Sequence, residues 1–425
     1  MARQRRTARE RTPLPPGFGA IWTTVAIDLI GFGIVLPILP RYAEDMNASP
    51  GVIGLVVASF SLAQMFGSPL IGRLSDRIGR KPVLILSLVG TCLGSLVTGL
   101  AGTVWILLLG RIIDGLSGAS VSVAQASVAD VASPEERPRL LGLLGAAFGV
   151  GFVIGPAIGA LAAFGGPHIP FFVASAIAGT NAIVALRRLP ETHPDHVPDA
   201  ASPPVPETVA EALTSPDGGP STGSRGAFTV QGVPNAVRRL IIVAFISVFA
   251  FSGFETTFAL LAEDRLGLTL GSTGAVFAVI GLALVFVQAG LIHPVHDALG
   301  ENRTLRVALG LLALGLLLLA WDGRWLTMIG ALALLVLGQG LVTPTMASAV
   351  AGQTPAERRG RVLGLQQSAG AGARTIGPIA AGFLYGHVGA AAPYVVGAVL
   401  AVIAVSLVPR PTPSPTGLAP DRSDG

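Results

Sequence analysis

The sequence is poor in charged residues and has almost no cysteine or lysine. Charged residues make up 12% of the 425 residues, about half of the roughly 25% found in a soluble globular chain. This excludes a water-facing surface for most segments. The single cysteine excludes an intrachain disulfide and a cysteine-based metal cluster. The one lysine, Lys81, follows Arg80, so the G-x-x-x-x-G-K phosphate loop of ATP-driven proteins is absent.

The six histidines are scattered along the chain and offer no four-ligand zinc set, so we predict neither a metal nor a cofactor. The formal net charge is +4, but the basic residues lie between long apolar segments rather than in one basic stretch. This distribution favours a membrane protein over a protein that binds nucleic acid.

Long apolar runs recur along the chain, and hydrophobic residues make up 51% of it. Each run has about 20 residues, the length that a helix needs to cross a hydrocarbon core of about 30 Å. The runs do not alternate as barrel strands would, so we predict an all-α membrane protein. Twelve transmembrane helices are predicted at 18–40, 51–72, 82–102, 104–127, 139–162, 168–187, 239–262, 271–294, 304–320, 325–350, 361–384 and 389–409.

The twelve predicted spans fall into two groups of six. Residues 190–236 separate the groups and hold nine prolines and six acids, which is typical of a flexible linker. With the N-terminus inside, 23 basic residues lie on the inner side and three outside. This predicts a cell (inner) membrane protein with both termini in the cytoplasm. The predicted parts are a tail, a bundle, a linker, a second bundle and a tail, at 1–17, 18–189, 190–236, 237–409 and 410–425.

Short motifs recur between the two groups. Asp76-x-x-Gly79 matches Asp297-x-x-Gly300, and the Gly-Pro pair at Gly155 recurs at Gly377 with nearly the same offset along the chain. We therefore predict a duplicated six-helix unit, which gives two pseudo-symmetric bundles. In such repeats the substrate site lies between the halves, near the middle of the membrane.

Four segments carry a family resemblance. They are DLIGFGIVLPILP from Asp28, GRLSDRIGRKP from Gly72, GRIIDGLSGAS from Gly110 and GLLGAAFGVGFVIGPAIGA from Gly142. With these segments the chain resembles the major facilitator superfamily, specifically the twelve-helix drug:proton antiporters, and its first half resembles the tetracycline exporters. The resemblance implies a major facilitator fold and transport rather than enzymatic activity. The partners it implies are a small-molecule substrate, protons and the lipid bilayer, with the protein as a monomer.

Two motifs take their roles from this resemblance. The segment between the second and third spans, where glycines would allow a tight turn, resembles a gating loop; its candidate residues, with an acid at the end of the fourth span, are Gly72, Asp76, Arg77, Gly79, Arg80, Lys81 and Asp130. The fifth span resembles a helix at the interface between halves that favours exchange over leak. Its small residues and helix-kinking proline are Gly151, Gly155, Pro156 and Gly159.

Ionisable residues within the predicted spans are candidates for function, because charge inside a membrane is costly. Asp28, Arg111 and Asp114 are the candidates for proton coupling, although Asp28 could instead be a structural hydrogen-bonding residue. Arg111 and Asp114 share a helical face and can pair. Such a pair leaves Asp28 or Glu255 as the group that takes up a proton.

Candidate substrate-binding residues lie mainly in the second half. Glu255 could attract a cationic substrate or serve helix packing. The other candidates are polar or aromatic residues in apolar spans, namely Arg374, Gln64, Gln125, Gln339 and Phe254. For the glutamines, helix-to-helix hydrogen bonds are an equal alternative, and for phenylalanine a lipid contact is the commoner role. Tetracycline exporters carry further acids in their third and ninth helices, whereas 82–102 and 304–320 contain none, which argues against tetracycline as substrate.

The sequence therefore predicts a proton-coupled antiporter that exports small lipophilic compounds, as in drug efflux and antibiotic resistance. Two alternatives stay open. One is a major facilitator transporter of a sugar or another metabolite, and the other is a membrane binding protein that does not transport.

Overall fold

A computed structural model of the chain describes residues 14–133, 136–193, 234–321, 324–354 and 356–409. Helices fill most of these ranges, and no strand occurs within them. The predicted all-α fold class is therefore confirmed. The tail predicted over 410–425, most of the predicted linker and most of the predicted N-terminal tail lie outside the described residues.

Two sets of helices flank the predicted linker. Before it lie α1 Phe18–Val35, α2 Leu39–Glu44, α3 Pro50–Ile78, α4 Arg80–Gly99, α5 Val104–Ser117, α6 Ser120–Val131, α7 Arg137–Ala163 and α8 Ile169–Arg188. After it lie α9 Asn235–Leu266, α10 Leu270–Phe286, a π-helical segment Val287–Leu291, α11 Ile292–Leu299, α12 Glu301–Trp321, α13 Trp325–Gly352, α14 Ala356–His387 and α15 Ala392–Leu407.

Ten helical segments among the described residues are long and apolar enough to cross a membrane. The fourth of these includes both α5 and α6, and the eighth includes α10 and the π-helical segment. The eleventh and twelfth predicted spans are occupied by α14 and by α15, which is apolar but has only 16 residues. The helices thus follow the order of the twelve predicted spans.

The helices repeat along the chain with the period of the sequence motifs. α4 begins at Arg80 and its counterpart α12 at Glu301, while α5 begins at Val104 and its counterpart α13 at Trp325. Both pairs of helix starts have the same separation in sequence, which is also the separation of the two Asp-x-x-Gly motifs. A shared offset for helix starts as well as motifs is what a duplicated six-helix unit produces.

The chain divides into two compact units. The first contains α1, α2, most of α3, α4 to α8 and the segment Leu268–Gly281 at the start of α10. The second contains Pro50–Gly54 at the start of α3, α9, the rest of α10 and the helices that follow. Two short segments thus group with the other half of the sequence. The bundle boundaries at 18–189 and 237–409 stay predictions.

The segment from Gly72 to Lys81 is mostly helical rather than a loop. α3 continues to Ile78 and α4 begins at Arg80, so the chain turns at Gly79. Gly79 has a φ of +99°, a left-handed conformation that glycine adopts without strain. Gly72 lies inside α3 with open space around the position of its missing Cβ. The prediction of a tight turn at Gly72 is therefore wrong.

The eighth predicted span is not a regular α-helix. Its π-helical segment Val287–Leu291 precedes Pro294, which lies near the start of α11. Proline lacks an N–H group, and its ring crowds the carbonyl group four residues earlier, which here belongs to Gly290. A single π-helical turn relieves this conflict without ending the helix.

A face of glycines allows α7 to approach α1 closely. A Cβ at Gly155 would lie 2.6 Å from the Cα of Gly33, and a Cβ at Gly151 would lie 2.6 Å from the carbonyl oxygen of Leu29. Gly159 faces Ile34 of α1. Residues without side chains permit such a contact between membrane helices. The glycines of the predicted antiporter helix thus form a contact within the first unit, and the same helix, α7, contains Pro156.

The N-terminus of α4 is capped by Glu191, which follows α8. The carboxylate of Glu191 accepts hydrogen bonds from the backbone N–H groups of Arg80 (2.8 Å), Lys81 (3.1 Å), Thr192 (2.9 Å) and His193 (2.9 Å). Burial opposes ionisation, but these donors outweigh it and hold the pKa of Glu191 below its usual 4.5. A negative charge at a helix N-terminus is also favoured by the helix dipole.

Distant side chains also contact the C-termini of α4 and α12, with different chemistry in the two repeats. The Tyr42 hydroxyl lies 3.0 Å from the carbonyl oxygen of Ala101 and 3.2 Å from that of Thr98. At the end of α12, Arg265 donates a hydrogen bond of 2.6 Å to the carbonyl oxygen of Leu319. Both contacts satisfy carbonyl groups that have no partner within the helix.

We expect Gly155→Ala to destabilise the protein, because the new methyl group would lie 2.6 Å from backbone atoms of Gly33. Overpacking of this kind costs about 1–3 kcal/mol and would lower the midpoint of thermal unfolding of the detergent-solubilised protein. Gly142→Ala is the matched control, since nothing lies within 4 Å of a Cβ at that position of α7. An unchanged midpoint for Gly155→Ala would contradict the close packing of α7 on α1.

We expect Glu191→Gln to lower the free energy of unfolding by about 1 kcal/mol, the typical loss when a helix N-cap is removed. Because folding lowers the pKa of Glu191, this contribution is present above the usual 4.5 and is lost as the pH falls through the folded value. Thermal unfolding measured from neutral to acidic pH should therefore show the difference from wild type shrinking in acid. Glu44→Gln, in the partly exposed pair with Arg41, should change little. A difference independent of pH would reject the charged cap.

Candidate functional site

Arg111 and Asp114 form a buried ion pair on α5. They are three residues apart and therefore share one helical face, and Arg111 Nη1 donates a hydrogen bond of 2.7 Å to Asp114 Oδ2. Their side chains are only 3% and 8% exposed. The Arg111 guanidinium also lies 4.7 Å from the ring centroid of Phe60 on α3, a cation–π contact. The pairing predicted from the spacing is present, and the two charges cancel within the span.

Asp28 lies on α1 with its two carboxylate oxygens in different environments. Oδ2 accepts a hydrogen bond of 2.5 Å from the hydroxyl of Ser120, the first residue of α6. Oδ1 is buried and has no hydrogen-bond partner among the residues that the structure describes. Asp114 also acts on Asp28 electrostatically. The first unit thus holds a partly satisfied acid near an ion pair whose Arg111 Nε is also buried without a hydrogen-bond partner among the described residues.

A break in the fourth span makes this arrangement possible. α5 ends at Ser117 and α6 begins at Ser120, so the helix predicted over 104–127 is interrupted at Gly118 and Ala119. The side-chain amide of Gln64 on α3 donates a hydrogen bond to the carbonyl oxygen of Gly118. A carbonyl group freed by the break is thereby satisfied, as a membrane protein requires. Of the two roles considered for Gln64, the structure shows the helix-to-helix hydrogen bond.

In the second unit, Glu255 and Arg374 interact without a direct ion pair. Glu255 lies on α9 and is half-buried, whereas Arg374 lies on α14 and is exposed. The two side chains act on each other electrostatically, so the structure brings them near each other. An exposed arginine in the middle of a membrane span faces water or a partner group rather than lipid. These residues can therefore meet a charged ligand.

The remaining substrate-binding candidates lie in different environments. Gln125 is exposed on α6. Gln339 donates a hydrogen bond of 3.4 Å to the Thr343 hydroxyl, and its Oε1 atom is buried without a partner. Phe254 is 2% exposed and packs against the rings of Phe251 and Phe258. Phe254 thus lies in the packed core of the second unit rather than on an open surface.

Arg80 binds two of the other predicted gating residues in the first unit. Its Nε atom donates a hydrogen bond of 2.8 Å to Asp130 on α6, and its Nη1 atom donates one of 2.6 Å to Asp76 on α3. Nη1 also lies 2.6 Å from the Ser75 hydroxyl. Arg80 is 9% exposed, whereas Arg77 is exposed. Arg80 thus holds the ends of α3, α4 and α6 together as one buried cation.

The sequence alone did not point to Ser120 or Glu191 as partners of functional residues. Gly118 within an apolar run was an available signal for the helix break, because glycine weakens a helix interior. The contacts of Ser120 and Glu191 come from distant segments, and no local spacing reveals them. In the part of the chain that the structure describes, no cluster of three or more His, Cys, Asp or Glu residues could hold a metal ion.

Comparisons with known proteins place these features in a family. The family model of the Major Facilitator Superfamily matches residues 21–321 and 289–424. The tetracycline resistance protein, class E, of Escherichia coli is 32% identical over 85% of this chain and 86% of its own length. The major facilitator superfamily domain-containing protein 10 of Homo sapiens is 32% identical over 86% of this chain and 79% of its own length.

Solved structures agree with this assignment. The crystal structure of the human organic anion transporter MFSD10 (TETRAN) has a TM-score of 0.67 and 28% sequence identity, and the match covers 93% of this chain and 100% of that chain. The length, order and duplication of the helices, together with these matches, identify the protein family. The chain belongs to the major facilitator superfamily.

Proposed function

We propose that the protein is a proton-coupled antiporter that exports small lipophilic compounds by alternating access. One observation carries the proposal: Asp28 has one oxygen bound to Ser120 and one oxygen that is buried without a partner. An ionised carboxylate with an unsatisfied oxygen is costly in a membrane interior. A carboxyl group in this environment is a natural site for the uptake and release of a proton.

The balance of charge away from the ends of the spans supports this role. The acids Asp28, Asp114 and Glu255 stand against two arginines, Arg111 and Arg374. Arg111 is already paired with Asp114, and Arg374 acts on Glu255. Asp28 therefore represents the excess negative charge, and a proton that binds to it removes the imbalance.

The proposed transport cycle follows from the excess negative charge of Asp28. A proton that enters from outside neutralises Asp28, which lowers the cost of enclosing that part of α1 in an apolar environment. The change of charge biases the protein towards the conformation that opens inward, where the proton leaves and the exported compound binds. The resemblance to antiporters and the proposed cytoplasmic termini set the direction of this cycle.

The Arg80 cluster is the proposed gating element. Arg80 is the first residue of α4, and its side chain binds acids on α3 and α6. Any change that separates the ends of these helices must break two charge-assisted hydrogen bonds, which are stronger than neutral ones. In this proposal Asp76, Asp130 and Arg80 stabilise one conformation of the cycle relative to the other.

A second candidate function is the export of organic anions. The position of Arg374 in the middle of α14 is the observation that favours it, because arginine binds carboxylate groups well. The similar human protein of known structure is described as an organic anion transporter, whereas several bacterial relatives are described as tetracycline resistance proteins. The charge of the exported compound therefore separates the two candidates, and export of an uncharged sugar would exclude both.

We expect Asp28→Asn to abolish proton-coupled exchange, because asparagine cannot gain and lose a proton. Everted membrane vesicles with an imposed proton gradient and a pH-sensitive dye provide the measurement. Addition of a transported compound should dissipate the gradient in wild-type vesicles but not in the variant. Asp45→Asn is the matched control, since Asp45 is exposed and lies between α2 and α3. Normal gradient dissipation by Asp28→Asn would reject the proposed coupling role.

We expect Glu255→Gln to reduce the export of ethidium, a lipophilic cation, by about tenfold, because a contact with a charged group is worth about 1.5–3 kcal/mol. Arg374→Gln, a matched change on the facing helix, should leave ethidium export nearly unchanged. Efflux from preloaded cells that express equal amounts of each variant measures the effect. The reverse pattern, with fluorescein export lost in Arg374→Gln and ethidium unaffected by Glu255→Gln, would favour the organic anion transporter instead.

A further inference from the structure

The break between α5 and α6 is engaged from two sides by polar side chains. On one side, Gln64 donates to the carbonyl oxygen of Gly118, the residue at which the interruption begins. On the other side, the Ser120 hydroxyl donates to Asp28 from the first position of α6. A continuous helix would place neither group in this way. The position of the hydroxyl relative to Asp28 is thus set by the interruption.

We propose that Ser120 is a positioning residue for the proton site, and that the coupling proton is held on Oδ1 of Asp28. This inference rests on the proposed function. It adds the oxygen atom of Asp28 that holds the proton and the residue that positions this carboxyl group. Ser120 occupies Oδ2, so Oδ1 is the buried oxygen left free to accept a proton. A proton on Oδ2 would compete with the bond from Ser120, whereas a proton on Oδ1 leaves that bond intact.

The end of α6 adds to the effect of the hydroxyl group. Ser120 belongs to the first turn of α6, where the helix dipole favours a nearby negative charge. Ser120 therefore favours the ionised form of Asp28 directly and keeps it near this helix end. Burial of the unpartnered Oδ1 opposes ionisation. These two opposing effects on one carboxyl group allow a proton both to bind and to leave.

Among the described residues, the other charged groups on the helices that pack against α1 are either paired or lie near the ends of those helices. Asp114 on α5 acts on Asp28 electrostatically but is bound to Arg111. On α6, Asp130 is bound to Arg80 at the far end of the helix. The helices α7 and α8 also pack against α1, and their titratable residues among those described lie near their ends: Arg139, His168, Arg187 and Arg188.

Infrared spectroscopy of the purified protein tests the inference without a known substrate. The carboxylic acid C=O band of Asp28 is assigned by its loss in Asp28→Asn, and its intensity is followed against pH. We expect Ser120→Ala to move the midpoint of this titration upward by about one pH unit, roughly tenfold in proton affinity, because the ionised form loses a hydrogen bond. The frequency of the band should also change, since the carboxyl group loses a neighbour.

Two variants separate positioning from general packing. Ser120→Thr keeps a hydroxyl group and should restore the wild-type midpoint. Ser127→Ala removes a buried hydroxyl from the same helix, but that hydroxyl donates to the carbonyl oxygen of Val123, so the midpoint should not move. If Ser120→Ala does not fold, Ser120→Cys, with a weaker donor of similar size, should shift the midpoint in the same direction.

The outcomes distinguish this inference from the proposed function. An Asp28 band that titrates identically in wild type, Ser120→Ala and Ser127→Ala would overturn the role of Ser120 and leave the coupling role of Asp28 intact. An equal shift in Ser120→Ala and Ser127→Ala would show a packing effect and would also overturn it. If wild-type Asp28 shows no titrating band between about pH 5 and pH 9, the proposed coupling role fails with it.

Discussion

The structure depends on one electrostatic constraint: a charge inside a membrane-spanning bundle must be paired, hydrogen-bonded or neutralised. The first unit meets it in two ways. Arg111 and Asp114 form an ion pair three residues apart on one helix, which requires no other segment. Asp28 has no cation bound to it in this part of the chain, and a hydroxyl from another helix satisfies one of its oxygens. The difference between these two acids is the physical basis for assigning them different roles.

The same constraint applies to the backbone at helix ends. In a membrane protein a helix terminus must find partners from the protein itself or from the interface. Glu191 supplies a carboxylate to the N-terminus of α4, and Tyr42 contacts its C-terminal carbonyl groups. The equivalent helix α12 receives Arg265 at its C-terminus. The two repeats thus supply partners for the C-terminal carbonyl groups of equivalent helices with different side chains. The need for a partner comes from the fold, whereas the residue that supplies it differs between the halves.

The accuracy of the sequence predictions follows from the range of each interaction. The spans and the constant offset between the two repeats were predictable, because the length of apolar runs and the spacing of motifs can be read directly along the chain. The pairing of Arg111 with Asp114 was predictable for the same reason. The break at Gly118 was not predicted, because an apolar run with small residues has the composition of a continuous helix. The burial of Phe254 and the bond from Gln64 to Gly118 depend on helices that are distant in sequence, so hydropathy and spacing carry no signal for them.

The two halves differ in charge at the starts of two equivalent helices. Arg80 begins α4 in the first half, and Glu301 begins the equivalent helix α12 in the second. Arg80 binds two carboxylates, whereas Glu301 accepts a hydrogen bond from the Ser348 hydroxyl. Among the described residues, two ion-paired hydrogen bonds hold the start of α4 and one hydrogen bond from a hydroxyl holds the start of α12.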